Sequence, residues 1–183
     1  MKNLELIENV STSRFKFRLI NENDAQDVYE ILENENVIQN LNMDIHTKIE
    51  DSNKLIKEYL ESYKEDTKLP LVILNKETDE FLGVFLIKLD LYNEDAFEFT
   101  VYIKEKFWNR GIYSEVLPQM TKLAFDVVDT KNFRGYVMEK NISSAKVLER
   151  SGFMLEKIFD VPGIDGKIKS YLITKEMYEN KIS

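Results

Sequence analysis

The chain alternates between two periods of hydrophobic and polar positions, and the switches between them mark its elements. Residues 14–20, Arg14-Phe-Lys-Phe-Arg-Leu-Ile20, alternate polar and apolar, as a half-buried strand does. Residues 21–24 offer helix-capping side chains, and behind them Ala25, Val28, Ile31 and Leu32 recur at helical spacing. A second amphipathic helix is predicted over 50–64, with Leu55, Ile56, Tyr59, Leu60 and Tyr63 on one face. The apolar run 69–74, the polar stretch 75–80 and the apolar return 81–89 read as a hairpin. Residues 96–103 read as a further strand, with Phe97, Phe99, Val101 and Ile103 on one face and Glu98, Thr100 and Tyr102 on the polar one. A polar break over 104–111 precedes a strongly amphipathic helix at 112–128. A strand at 133–138 follows, then a helix at 141–150 ended by Ser151 and Gly152. A strand pair, 153–159 and 168–174, closes the chain around the turn 162–166. The order β-αα-βββ-α-β-α-ββ predicts a mixed α/β (α+β) sheet, with residues 1–183 as a single domain.

Composition narrows the chemistry. A chain of 183 residues can build a core without staples, and its scattered glycines (6) and prolines (3) mark no linker. The absence of cysteine removes disulfides, thiolate metal sites and a cysteine nucleophile, and fits a reducing compartment. A single histidine, His46, in the polar stretch 44–48, reads as a surface-loop residue or else a substrate-side group, and argues against a Ser-His-Asp triad or a multi-histidine metal site. No metal is expected. The net charge of -8 argues against nucleic acid as the main partner and favours a cationic or neutral substrate. Neither a signal-peptide core nor a run near ~18 apolar residues is visible, so a cytoplasmic protein without a membrane partner is expected.

The strand-loop-helix over 98–128 is the most informative stretch. A helix that starts directly after a glycine-containing loop leaves backbone N–H groups unpaired, and its dipole adds partial positive charge there. Arg110 adds a full charge, and Gly111 allows close backbone approach. The segment lacks the Gly-Lys-Ser/Thr of a P-loop and the G-x-G-x-x-G of a dinucleotide site. On the residues alone, a structural βα turn and an anion site both stay open.

Phe107-Trp-Asn-Arg-Gly-Ile-Tyr-Ser-Glu-Val-Leu117 resembles the pyrophosphate motif of the GNAT acetyltransferases, closest to the branch of ribosomal-protein N-terminal acetyltransferases RimJ and RimL. Downstream, Asn141-Ile-Ser-Ser144 and Val147-Leu-Glu-Arg-Ser-Gly-Phe153 resemble that branch's second signature, at the family's usual separation. The resemblance implies a splayed central strand pair with acetyl-CoA wedged between the strands. Its pantetheine arm would pair with the backbone from Val101 to Ile103. The pyrophosphate would sit on the amides of Asn109, Arg110, Gly111, Ile112, Tyr113 and Ser114, with Trp108 as loop packing or ligand contact and Asn141 flanking the thioester. Two positions depart from the family pattern: Tyr113 replaces a Gly or Ala, and Leu148 replaces the tyrosine that many members use as an acid.

The implied reaction is acetyl transfer from acetyl-CoA to a primary amine, a protein N-terminus or a small amine, in a ternary complex. An α-amine with a pKa near ~7.7–8.0 is partly neutral at pH 7, which lightens the demand on a base. Glu98 matches the branch's strand glutamate and is the candidate base, or else a strand glutamate paired with a nearby Lys or Arg. Ser144 is the candidate hydrogen-bond donor to the leaving thiolate, or a local backbone partner. Tyr171 is a candidate wall of the acceptor cleft. The alternative function is a non-catalytic acyl-CoA or protein-binding module. An aminoacyl-tRNA acceptor is disfavoured by charge. A monomer or homodimer is expected.

Overall fold

The apolar patterns become a sheet covered on both faces. The structure, a computed structural model, describes residues 7, 10–41, 43–90, 92–93, 96–164 and 166–182. Strand β1 (Phe15–Leu19) leads to helices α1 (Ala25–Leu32), α2 (Glu35–Ile38) and α3 (Ile49–Glu65). Strands β2 (Lys68–Asn75), β3 (Phe81–Leu89) and β4 (Phe97–Ile103) then precede helix α4 (Ile112–Leu123), which continues as a π-helical turn, Ala124–Val128. Strand β5 (Asn132–Met138), helix α5 (Ile142–Arg150), strands β6 (Met154–Asp160) and β7 (Lys167–Thr174) and helix α6 (Lys175–Ile182) complete the chain. The expected order is present, with α2 and α6 added.

The seven strands lie in the order β1-β2-β3-β4-β5-β7-β6, and every neighbouring pair is antiparallel except β4 and β5. Strands β2 and β3 are almost continuously apolar because each side meets a different helix layer. Leu69, Leu71, Ile73, Phe85 and Ile87 pack with α4 and α5, whereas Val72, Leu74, Val84 and Leu86 pack with α1 and α3. The same rule corrects the expectation of a polar face on β4. Glu98 and Tyr102 lie on the side covered by the first three helices, only 5% and 1% exposed.

Strands β4 and β5 pair in parallel only from Phe97–Phe133 to Phe99–Gly135, and beyond that they part. Gly135 is placed where a Cβ would stand 2.8 Å from the Phe99 ring and 3.2 Å from Leu148, so the opening point admits no side chain. No described helix is long and apolar enough to cross a membrane.

Candidate functional site

The parting of β4 and β5 opens a cleft of about 1160 Å³ that reaches both layers. One wall is the free edge of β4. The Lys104 amide bonds Leu82 and the Ala96 carbonyl accepts from Asp90, so even-numbered residues direct their backbone groups toward β3. By alternation, Val101 and Ile103 direct theirs into the opening. Trp108 Nε1 donates to the Ile103 carbonyl at 2.9 Å, which caps the end of that edge and leaves Val101 as its open acceptor.

Beyond Trp108 the chain turns into α4 through two left-handed residues, Asn109 (φ 59) and Gly111 (φ 72). A positive φ is cheap for glycine and tolerable for asparagine, so the sequence suits the turn. The first amide engaged by the helix is that of Glu115, bonded to Gly111 O at 3.2 Å. The amides from Asn109 to Ser114 make no hydrogen bond among the described residues. Asn109, Gly111, Ile112, Tyr113 and Ser114 all line the cleft. Unpaired donors at the positive end of a helix dipole form an anion seat.

This turn is fixed from behind. Glu115 accepts from Ser13 Oγ (2.8 Å), the Arg14 amide (3.0 Å) and Arg14 Nε (2.6 Å), while Arg14 Nη1 donates to Arg110 O at 3.0 Å. Burial works against its charge, but these hydrogen bonds, with one from Thr12, hold the Glu115 carboxyl down at about 2.

On the sheet face beneath α1–α3, Glu98 Oε1 pairs with Lys88 Nζ at 2.9 Å, and Oε2 is buried with no partner. Burial raises the Glu98 proton affinity above the usual carboxylate range, Lys88 pulls it back, and Asp90 adds to the rise. Beside it the Tyr136 hydroxyl lies 2.9 Å from both Asp90 oxygens and accepts from Asn93 Nδ2 at 2.9 Å. Arg134 is turned away onto Glu156 by two bonds of 2.9 Å. At the far end of the cleft, Asn141 caps α5 by accepting from the Ser144 amide at 3.1 Å. The Ser144 hydroxyl makes no hydrogen bond among the described residues and lines the cleft.

Most of the expected site residues therefore meet in one place: Glu98, Val101, Ile103, Trp108, Asn109, Gly111, Ile112, Tyr113, Ser114, Asn141 and Ser144 all line the cleft. Two do not. The flanking left-handed residues turn Arg110 outward, its guanidinium 5.5 Å from the Phe107 ring and lining a separate hollow of about 300 Å³. Tyr171 is sealed in the core on the α5 side, its hydroxyl donating to Glu149 at 2.9 Å. Tyr113, the departure from the family pattern, is half-buried along the wall and leaves the cleft open. His46 stands outside the cleft, with Nδ1 2.7 Å from Ser52 Oγ.

Sequence reasoning missed Lys88 and Tyr136. Lys88 did leave a signal, as the only charged residue in the apolar strand Phe81–Leu89.

The chain matches the Acetyltransferase (GNAT) domain model over residues 14–154. It is 22% identical over 149 residues to the uncharacterized N-acetyltransferase YoaA of Bacillus subtilis, covering 81% of this chain and 84% of that one. Among solved structures it is similar to the spermidine N-acetyltransferase of Vibrio cholerae in complex with CoA and spermine, with a TM-score of 0.79 at 16% identity, over 92% of this chain and 99% of that one. It is also similar to RimL, the ribosomal L7/L12 alpha-N-protein acetyltransferase in complex with coenzyme A, with a TM-score of 0.77 at 19% identity, over 89% and 95%.

Proposed function

The chain belongs to the GNAT acetyltransferase family, and from that premise we propose that its cleft transfers acetyl from acetyl-CoA directly to a primary amine, a protein N-terminus or a small amine. The observation that carries this reading is the row of unpaired amides from Asn109 to Ser114, opening into the same cleft as the free edge of β4. An anionic head and an extended amide-bearing arm are the two features such a wall accommodates, and a diphosphate joined to pantetheine has both. The amides hold the diphosphate, and Gly111, whose Cβ position is open apart from Arg14 Nη2 at 3.5 Å, leaves room for it. Val101 offers N–H and C=O to the arm.

Acetyl-CoA supplies a thioester whose carbon–sulfur bond breaks as the carbon–nitrogen bond to the amine forms. Glu98 Oε2 takes the proton that the acceptor nitrogen must shed, and its raised proton affinity suits it to that task. The Ser144 hydroxyl is free to donate to the leaving sulfur. Leu148, fully buried in the core, takes no part. Burial of both reaction partners between two helix layers excludes water and holds them in register, which supplies much of the rate when the acceptor is an α-amine.

The test is thiol release from acetyl-CoA across peptides with varied N-terminal residues, polyamines and aminoglycosides. Spermidine and a ribosomal protein N-terminus, the acceptors named for the two structural neighbours, head the panel. Amine-dependent thiol release with an N-acetylated product is the expected result. Calorimetric binding of CoA without turnover on any amine would overturn the transferase reading in favour of a binding module.

A further inference from the structure

Four strands carry one straight row of charged residues across the sheet. Lys68 on β2 faces Lys88 on β3, Lys88 faces Glu98 on β4, and Glu98 faces Arg134 on β5. The lone carboxylate of this row is thus flanked by a cation on either side, but only one of them reaches it. Lys88 holds Oε1 at 2.9 Å, while Arg134 is committed to Glu156 and leans toward Asp90 at 3.5 Å. Lys88 lines the cleft with a side chain 25% exposed, so it binds Glu98 without closing the site.

We propose that Lys88 is the positioning residue for Glu98: it pins one carboxylate oxygen and aims the other at the acceptor amine. The proposal rests on the reading of Glu98 as the base. A buried carboxylate with no cation beside it holds its proton more tightly and accepts one from the amine only at higher pH. The other groups around Glu98 cannot replace Lys88. Asp90 disfavours a second negative charge, and the Tyr136 hydroxyl is spent on Asp90. Tyr59 and Tyr102, on α3 and β4, are bonded to each other at 3.2 Å and lie too deep to ionise. Lys68 stands one strand further away, 5.9 Å from the Tyr59 ring.

The experiment is the pH dependence of kcat/KM, with the best acceptor of the panel, for the wild type, Lys88→Met, Lys88→Arg and Glu98→Gln. Methionine keeps the shape of the stem, and a thermal melt confirms folding. Loss of a cation this close should move the lower limb of the profile up by about one pH unit. Lys88→Arg should restore the limb, and CoA affinity should stay within about twofold, because the anion seat is untouched. A limb that stays in place in Lys88→Met, whatever the drop in rate, reduces Lys88 to a structural ion pair and overturns the proposal. Full turnover in Glu98→Gln removes the base and the proposal with it, leaving the transferase reading intact. Thiol release from no amine is the separate failure of that reading.

Discussion

Glu98 feels two opposed influences, burial that favours its protonated form and the Lys88 ammonium that favours the ionised one. Glu98→Gln keeps the volume and a hydrogen bond near Lys88 but removes the carboxylate proposed as the proton acceptor. Turnover at neutral pH should fall by about a hundredfold or more, the usual worth of a positioned base, while CoA affinity stays within about twofold. Steady-state kinetics and calorimetry check the two halves. At Gly111 the constraint is different, because φ is 72 and the residue sits among unpaired amides. Gly111→Asp places a carboxylate on the anion seat, so the Kd for CoA should rise about tenfold or more in a variant that still folds. Both residues line the cleft, where their places in strand and motif had put them. Lys88 was not legible in the sequence, because its pairing with Glu98 exists only once the β3–β4 register is set. The side chains of Arg110 and Tyr171 stand outside the cleft for a related reason: a motif fixes the backbone path, whereas the direction of a side chain beside two left-handed residues, or on a closing strand, comes from packing.

At the scale of elements, the N-terminus of α4 is held to the chain just before β1 by Glu115. Its folded pKa of about 2 lies below the ordinary value of 4.5, so its contribution to stability is present above pH 4.5 and is lost as pH falls toward 2. The Glu115 side chain is 21% exposed and that of Arg14 50%, so solvent screening limits the contribution to on the order of 1 kcal/mol. Urea melts at pH 7 and pH 3 should show a smaller loss on acidification for Glu115→Gln than for the wild type. Helix α4 was readable from its apolar stripe, and α5 from its stripe together with the Asn141 cap. The short α2 has a single buried residue, Val37, and α6 (Lys175–Ile182) lacks a clear apolar stripe. Each is defined by what it packs against. Tyr178 of α6, for instance, lies 5.2 Å from the Phe125 ring, a contact that no local pattern announces.

For the whole molecule, the cleft works only if its two layers keep their spacing, and two consecutive residues join them at the end of β4. Lys104, with a side chain 10% exposed, bonds Asp27 and Glu30 of α1 at 2.6 Å each. Glu105 accepts from Asn34 Nδ2 at 2.7 Å and Asn36 Nδ2 at 2.9 Å, at the start of α2. Both sit immediately before the turn that carries the unpaired amides, while Val37, Asn40 and Leu41 of the same helical layer line the opposite wall. Burial works to lower the Lys104 pKa, but the bonds to Asp27 and Glu30 outweigh burial and raise it, so the link is whole below the ordinary lysine value of 10.5 and fails only as pH rises past its own. In Lys104→Met the two α1 carboxylates, being 36% and 47% exposed, re-enter water instead of remaining as buried charges, so the fold should survive with a loss of about 1–2 kcal/mol in a urea melt. The anion seat is on the other side of the link and keeps its amides, so calorimetric CoA binding should be nearly unchanged. The wall formed by α2 and the loop after it loses an anchor, so KM for the amine should rise several-fold with a smaller change in kcat. An equal loss of CoA affinity and amine affinity would mean instead that the two walls respond as one body, with Lys104 holding the turn itself.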